Sequence, residues 1–154
     1  MIRLNLPPYA IRLKQDSDKY YVFDDLRQRF VRLTPEEWVR QHFVHYLTDH
    51  LGYPRELMMN EVPLQLGSLK KRSDTVLYDR TLRAQMLIEY KAPSIRLSEA
   101  VLEQIVRYNY HFRVPYLVLS NGLEHVAYQI DYTQMSYKQL EEIPHYLALA
   151  PKQA

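Results

Sequence analysis

The chain is expected to fold as an α/β domain with a mixed central sheet and a helix on each face. Three observations predict this. Residues 34–51 and 98–112 each pair a helix start signal with apolar residues at helical spacing. Three β-rich runs, residues 57–66, 72–79 and 85–92, lie consecutively between them, and short connections make antiparallel pairing the default. After the second helix comes a nearly continuous apolar run, Val-Pro-Tyr-Leu-Val-Leu-Ser at 114–120. That pattern suits a strand buried on both faces, in a parallel position reached by a helical crossover.

A length of 154 residues suggests one core, and a balance of 47% apolar to 25% charged residues makes it globular. The net charge of +2 does not announce a nucleic-acid binder. The fourteen tyrosines read mainly as half-polar core filling. Without cysteine there can be no disulfide, zinc–thiolate site or thiol nucleophile, which fits a reducing cytoplasm. No run approaches the roughly 20 apolar residues of a membrane span, and the first residues lack the apolar stretch of a signal peptide. A cytoplasmic location with no membrane partner is therefore expected.

The organisation expected is an N-terminal extension over 1–33, a main domain over 34–146 and a loosely packed tail over 147–154. Residues 1–19 read as an irregular lead-in, extended at Pro7–Pro8. Residues 19–23 and 28–33 read as a β-hairpin around Asp24-Asp25-Leu26-Arg27. The first helix has Thr34 as N-cap, Pro35 at the first helical position and Glu36 and Glu37 against the dipole; Gly52 stops it. Val39, Phe43, Tyr46, Leu47 and Leu51 form its apolar stripe. Glu36 and Arg40 fall on that stripe, either as an intrahelical ion pair or as the end of a polar site.

Pro63 suggests that 57–66 is an edge strand. Residues 69–71 read as a basic turn. On the next strand Arg72, Asp74, Val76 and Tyr78 share one face, and Ser73, Thr75 and Leu77 the other. The turn 79–83 follows. Ser98 caps the second helix, whose apolar face is Val101, Leu102, Ile105, Val106 and Phe112. Gln104, Tyr108 and His111 line its margin. Asn121–Gly122 reads as a turn into a strand at 125–131, and residues 136–142 as a short helix closed before Pro144. The histidines show no metal-ligand spacing; His42, His45 and His50 read as surface or half-buried, and Trp38 as helix packing.

The run 85–93 carries the chemistry. Alternation puts Glu89 and Lys91 on one face and Met86, Ile88 and Tyr90 on the other, toward the core. Glu89 and Lys91 are either a local ion pair or a site. Asp74 lies on the preceding strand. Two carboxylates on neighbouring strands can hold a hard divalent cation such as Mg²⁺, with Mn²⁺ as a substitute, and the Tyr90 carbonyl could add a ligand. Lys91 could orient a metal-bound water or take its proton. Lys70, Lys71 and Arg72 are consecutive, with Arg80 and Arg83 nearby. They are candidate DNA contacts, against the plainer reading of a solvated turn.

A lone Glu-x-Lys is unspecific; its ordered surroundings are not. Arg72-Ser73-Asp74, Glu89-Tyr90-Lys91 and Gln104-Ile105-Val106-Arg107-Tyr108 together resemble the PD-(D/E)xK nuclease superfamily. They are most similar to the nuclease domain at the N-terminus of type I restriction-enzyme R subunits. Glu36-Glu37-Trp38-Val39-Arg40 resembles the Glu/Arg element of that family's first helix, and Ser120-Asn121-Gly122 its Thr-Asn-Gly. The resemblance covers residues 34–130. It implies a restriction-endonuclease-like αβββαβ core and a Mg²⁺-dependent DNA endonuclease. It also implies Asp74 and Glu89 as metal ligands, with Glu36 as an additional one, and Lys91 as the catalytic lysine. Gln104 and Tyr108 would support the site or the bound strand. No Pro precedes Asp74, and the chain has no room for the helicase motor of large R subunits. Expected partners are DNA, subunits of a restriction or repair complex, and a second copy in a homodimer. The competing readings are a catalytically silent module that binds DNA or a protein, an enzyme acting on RNA or branched DNA, and a plain α/β domain with a Glu89–Lys91 ion pair.

Overall fold

A computed structural model describes residues 1–149. Strands β1 (Leu13–Asp16), β2 (Lys19–Asp24) and β3 (Arg29–Arg32) form a three-stranded antiparallel sheet. Helix α1 (Pro35–His50) follows. Then come β4 (Met58–Leu66), β5 (Leu69–Tyr78), β6 (Ala84–Tyr90), helix α2 (Glu99–Asn109), β7 (Tyr116–Ser120), β8 (His125–Asp131) and β9 (Ser136–Gln139). Strands β4 to β9 make one six-stranded sheet in sequence order. All its neighbours are antiparallel except β6 and β7, which run parallel on either side of the α2 crossover.

The sheet separates two apolar layers. On one face Val39, Phe43 and Leu47 of α1 pack on Leu77, Met86, Ile88 and Val118. On the other, Val106 of α2 packs on Val76, Leu87, Leu117 and Leu119, with Leu102 and Ile105 at the margin. Each fully buried aliphatic or Phe side chain contributes roughly 1.5–3 kcal/mol. Strand β7 is buried at every position, as its unbroken apolar run predicts, and β4 with Pro63 lies at one edge of the sheet. Thr34 caps α1 by accepting from the Glu37 N–H, and Ser98 caps α2 through the Val101 N–H.

The structure departs from the sequence expectations in five places. The lead-in contains β1, an all-exposed strand (Leu-Lys-Gln-Asp) whose pairing with β2 no apolar periodicity announces. Residues 69–71 belong to β5 rather than a turn; Gly67, at φ +60°, lets the chain reverse earlier. Residues 136–139 form strand β9 instead of a helix. Asp131 Oδ1 accepts from the Thr133 and Gln134 N–H groups and closes a hairpin, and Tyr137 packs edge-on against Tyr128. His42 is buried, between Tyr9 and Trp38, with Nδ1 bonded to the Trp38 carbonyl. The tail is only partly loose: Leu149 is buried in the core, while residues 150–154 lie outside the described residues.

The first ten residues lie along α1 and the 120–122 turn. Asn5 N–H donates to the Gly122 carbonyl, and Trp38 Nε1 donates to the Ile2 carbonyl. Gly122 sits at φ +86°, and a Cβ there would lie 2.6 Å from Leu4 Cδ2 and 3.1 Å from Val39 Cγ2. Gly122→Ala is expected to cost about 1–3 kcal/mol through the left-handed backbone and the clash. It should also free the N-terminal arm, read as a lowered melting temperature and faster proteolysis before Tyr9.

Candidate active site

Strands β5 and β6 are antiparallel, with Thr75 opposite Ile88, so one step further along Asp74 comes opposite Glu89. Asp74 Oδ2 accepts from the Tyr90 N–H at 2.8 Å, which ties its carboxylate to the Glu-Tyr-Lys run. In a strand the N–H and C=O of one residue point to the same neighbouring strand. The Tyr90 carbonyl is therefore directed toward β5, the strand that carries Asp74.

Strict alternation fails on this part of the sheet. Glu61, between Asn60 and Val62 on β4, adopts φ +58°, uncommon for a residue with a Cβ. Beyond this kink Val62 joins the α2-side layer, although Met58 belongs to the α1-side layer. Val62 pairs with Ser73, and the hydroxyl of Ser73 reaches Glu89 Oε1 at 3.4 Å. The face assignment along 72–79 therefore holds at Val76, Leu77 and Tyr78 but breaks before Asp74. A left-handed residue re-aims the side chains that follow it.

That break brings Lys71 into the site. Its Nζ lies 2.6 Å from Glu89 Oε1, with the Lys71 side chain 11% exposed. Glu89 thus pairs with Lys71, not with Lys91 as the plain ion-pair alternative had it. The Lys71 ammonium also donates to Asn109 Oδ1 at 3.1 Å and lies 5.4 Å from the centre of the Tyr108 ring. The Glu89 carboxyl is pushed up to about 7: burial raises it most, Lys71 pulls it down, and Asp74, close enough to share a hydrogen bond with it, raises it further. Carboxylates crowded this way favour a cation between them.

Glu89, Lys91, Lys71, Gln104, Tyr108 and Asn109 line one cavity of about 390 Å³ between β6 and α2. The sequence-selected Glu89, Lys91, Gln104 and Tyr108 are therefore brought together. The Tyr108 hydroxyl donates to the Lys70 carbonyl, so its ring, rather than its hydroxyl, edges the site. Asp74 opens on a second cleft of about 410 Å³, with Arg40, Glu37, Glu61, Glu36 and Tyr90. Asp74 thus lines the cleft beside α1 and Glu89 the cavity beside α2.

Glu36 is exposed, and Glu37 takes the inward place expected for it. Glu37 Oε1 and Oε2 accept from Arg40, Oε1 also from Arg27, and Oε2 from Gln41. Arg40 Nη2 donates to Glu61 Oε1 and Nη1 to the Asp74 carbonyl, both within 2.8 Å. Burial opposes the charge on Glu37, but the Arg40 guanidinium outweighs it and holds the carboxyl below its ordinary value. A second branch runs from Tyr90 Oη to Thr75, then Asn60, then Asp24, which also binds Arg27. The N-terminal hairpin is thereby hydrogen-bonded to the strand holding Glu89. The sequence reading missed Glu37, Glu61, Asp24 and Asn109, and gave Lys71 to a DNA-contacting turn rather than to Glu89. Glu37 was findable: it sits at the third position of a Thr-x-x-Glu capping box, with Arg40 one turn on.

Of the candidate DNA contacts, Lys70 and Arg72 are exposed, but the Lys71 ammonium is committed to Glu89. Arg80 and Arg83 lie beyond the opposite end of β5, so they do not extend a patch with Lys70. Among the described residues no group of three or more His, Cys, Asp or Glu stands ready to hold a metal. The donors present, two juxtaposed carboxylates and the Tyr90 carbonyl directed toward β5, nevertheless fit a hard cation. Mg²⁺ accepts one or two protein carboxylates and fills the rest of its shell with water and substrate oxygen.

No helix among the described residues is long and apolar enough to cross a membrane. A comparison with curated proteins finds no match. Among solved structures, the chain is similar to a fragment described as an HsdR subunit of a type I restriction enzyme from Vibrio vulnificus YJ016. The TM-score is 0.52 at 18% identity, over 76% of this chain, which establishes a shared fold. The match spans only 24% of that fragment's length. The family profile described as "Type I restriction enzyme R protein N terminus (HSDR_N)" matches residues 35–144, from the start of α1 to beyond β9. Both of the facing carboxylates, Lys91 and the α2 pair Gln104 and Tyr108 fall inside that span, and the chain belongs to this family.

Proposed function

We propose that the chain is a Mg²⁺-dependent DNA endonuclease domain, working alone or within a restriction complex in the cytoplasm. The observation that carries this is the placement of Asp74 opposite Glu89 on adjacent strands, with Lys91, Gln104 and Tyr108 lining the cavity onto which Glu89 opens. Family membership supplies the context. Asp74, Glu89 and the Tyr90 carbonyl would hold the metal, which when bound neutralises phosphodiester charge and lowers the pKa of its water. Lys91, just beyond Glu89 and lining the same cavity, would hold or take a proton of the attacking water. The Tyr90 N–H donates to Asp74 Oδ2 and fixes the direction of that carboxylate. Gln104 and the ring edge of Tyr108 orient the scissile strand along α2. Lys70 and Arg72 contact its flanking phosphates.

Supercoiled plasmid incubated with the protein and Mg²⁺ or Mn²⁺ should be nicked or linearised, and chelation should stop this. No cleavage with either metal, alone or with the other restriction subunits, would refute the reading. A panel of RNA and branched DNA separates substrate classes. Double-strand cutting by this single-site chain would proceed through a homodimer. One observation favours the second reading, a silent module that binds DNA or a protein partner: a lysine of the chain itself sits on Glu89. Metal-independent DNA affinity with no divalent-metal binding would establish it.

A further inference from the structure

Lys71 is held by three groups in the site, yet the proposed chemistry gives it no task. Its ammonium has a built cradle: Glu89 Oε1 at 2.6 Å, Asn109 Oδ1 at 3.1 Å and the Tyr108 ring at 5.4 Å. Asn109 is 1% exposed and is itself fixed, its Nδ2 donating to the Ile105 carbonyl at 2.8 Å. Tyr108 is fixed by its hydrogen bond to the Lys70 carbonyl. Lys71 therefore occupies a prepared cation position. Its charge lies on one oxygen of the carboxylate that faces Asp74.

We propose that Lys71 is a resident counter-cation that competes with the divalent metal for Glu89, and that metal binding displaces its ammonium toward solvent. The proposal rests on the metal-binding reading of Asp74 and Glu89. The physical argument is electrostatic. One carboxylate oxygen can be neutralised by an ammonium or by a metal, and two cations within a few ångströms repel. In the metal-free protein Lys71 relieves the crowding of Asp74 and Glu89. When metal enters, that relief becomes redundant and the repulsion is released by rotating the flexible lysine stem outward. There the freed ammonium lies beside Lys70 and Arg72, where it joins the phosphate-contacting surface. The cost of displacing Lys71 sets a threshold metal concentration for assembly of the site.

The test is titration calorimetry with Mn²⁺ and with Ca²⁺, using wild type, Lys71→Met and Lys71→Arg, without DNA. Lys71→Met keeps the stem and removes the charge, so metal affinity should rise by about tenfold or more, the scale set by losing one nearby positive charge. Lys71→Arg should leave affinity within about threefold of wild type. In parallel, reductive methylation of the wild-type protein is read by mass spectrometry. Lys71 should be protected without metal and become labelled on adding Ca²⁺, while Lys19 serves as a constant reference. This arm needs no variant to fold. Metal binding with unchanged affinity in Lys71→Met, or with Lys71 still protected, overturns this inference and leaves the nuclease reading standing. No metal binding by wild type or by Lys71→Met overturns both.

Discussion

Replacing Lys91 by Ala, or Glu89 by Gln, is expected to lower Mg²⁺-dependent DNA cleavage by about 10²–10⁴-fold, the range a positioned acid–base group supplies. Glu89→Gln is preferable to Glu89→Ala. Its amide oxygen can still accept from Lys71 Nζ, so a buried ammonium is not stranded. The two substitutions should fail differently. Glu89→Gln removes a ligand, so calorimetric metal binding should weaken with activity. Lys91→Ala keeps both carboxylates, so metal should still bind while the chemical step is lost. Single-turnover nicking at saturating Mn²⁺ separates the two. Wild-type rates in both variants would sink the assignment of the site.

The second large effect concerns stability. Arg40→Ala should destabilise the protein by about 3–5 kcal/mol, the scale of removing one partner from a buried ion pair. Glu61 Oε1 and the Asp74 carbonyl lose the donor Arg40 gives them, and the Glu37 carboxylate is left with Arg27 and Gln41 alone. For a domain of this size that is a fall of roughly 6–20 °C in melting temperature. A change below about 2 °C would show the network to be dispensable. The same network sets a pH response. Asp24 and Glu37 are buried, which by itself raises a carboxyl pKa, but Arg27 and Arg40 hold them below their ordinary values. A depressed folded-state pKa contributes stability that is complete above the unfolded carboxylate range and lost as pH falls through the folded value. Wild type should therefore lose stability steeply below about pH 4. Arg40→Ala should show a shallower acid loss, because Glu37 no longer has most of its charge support. Denaturant melts between neutral and acid pH measure that slope.

The fold was largely legible because its signals are local. Thr34 with Pro35, Ser98, the unbroken apolar run of β7 and Asn121–Gly122 each act through contacts within a few residues. β9 was misread for the opposite reason. Its residues are all exposed, and pairing with the open edge of β8, with Tyr137 against Tyr128, outweighs their local preference.

The candidate site divides in the same way. Glu89 and Lys91 share a face because strand side chains alternate, and Gln104 and Tyr108 share a helix edge because four residues make about one turn. Sequence by itself determined those relations, and with Asp74 they determined the family resemblance. Which cation meets Glu89 was decided only by tertiary structure. Alternation predicts Lys91, but the left-handed Glu61 and the kink it puts in β4 and β5 turn Lys71 and Ser73 toward Glu89, and Asn109 of α2 closes the cradle. Tertiary structure likewise added Arg27 to the locally legible Glu37–Arg40 pair, from a hairpin whose docking no local signal encodes. Long-range contacts of this kind depend on how strands twist and helices pack, and a reading of neighbouring residues does not contain them.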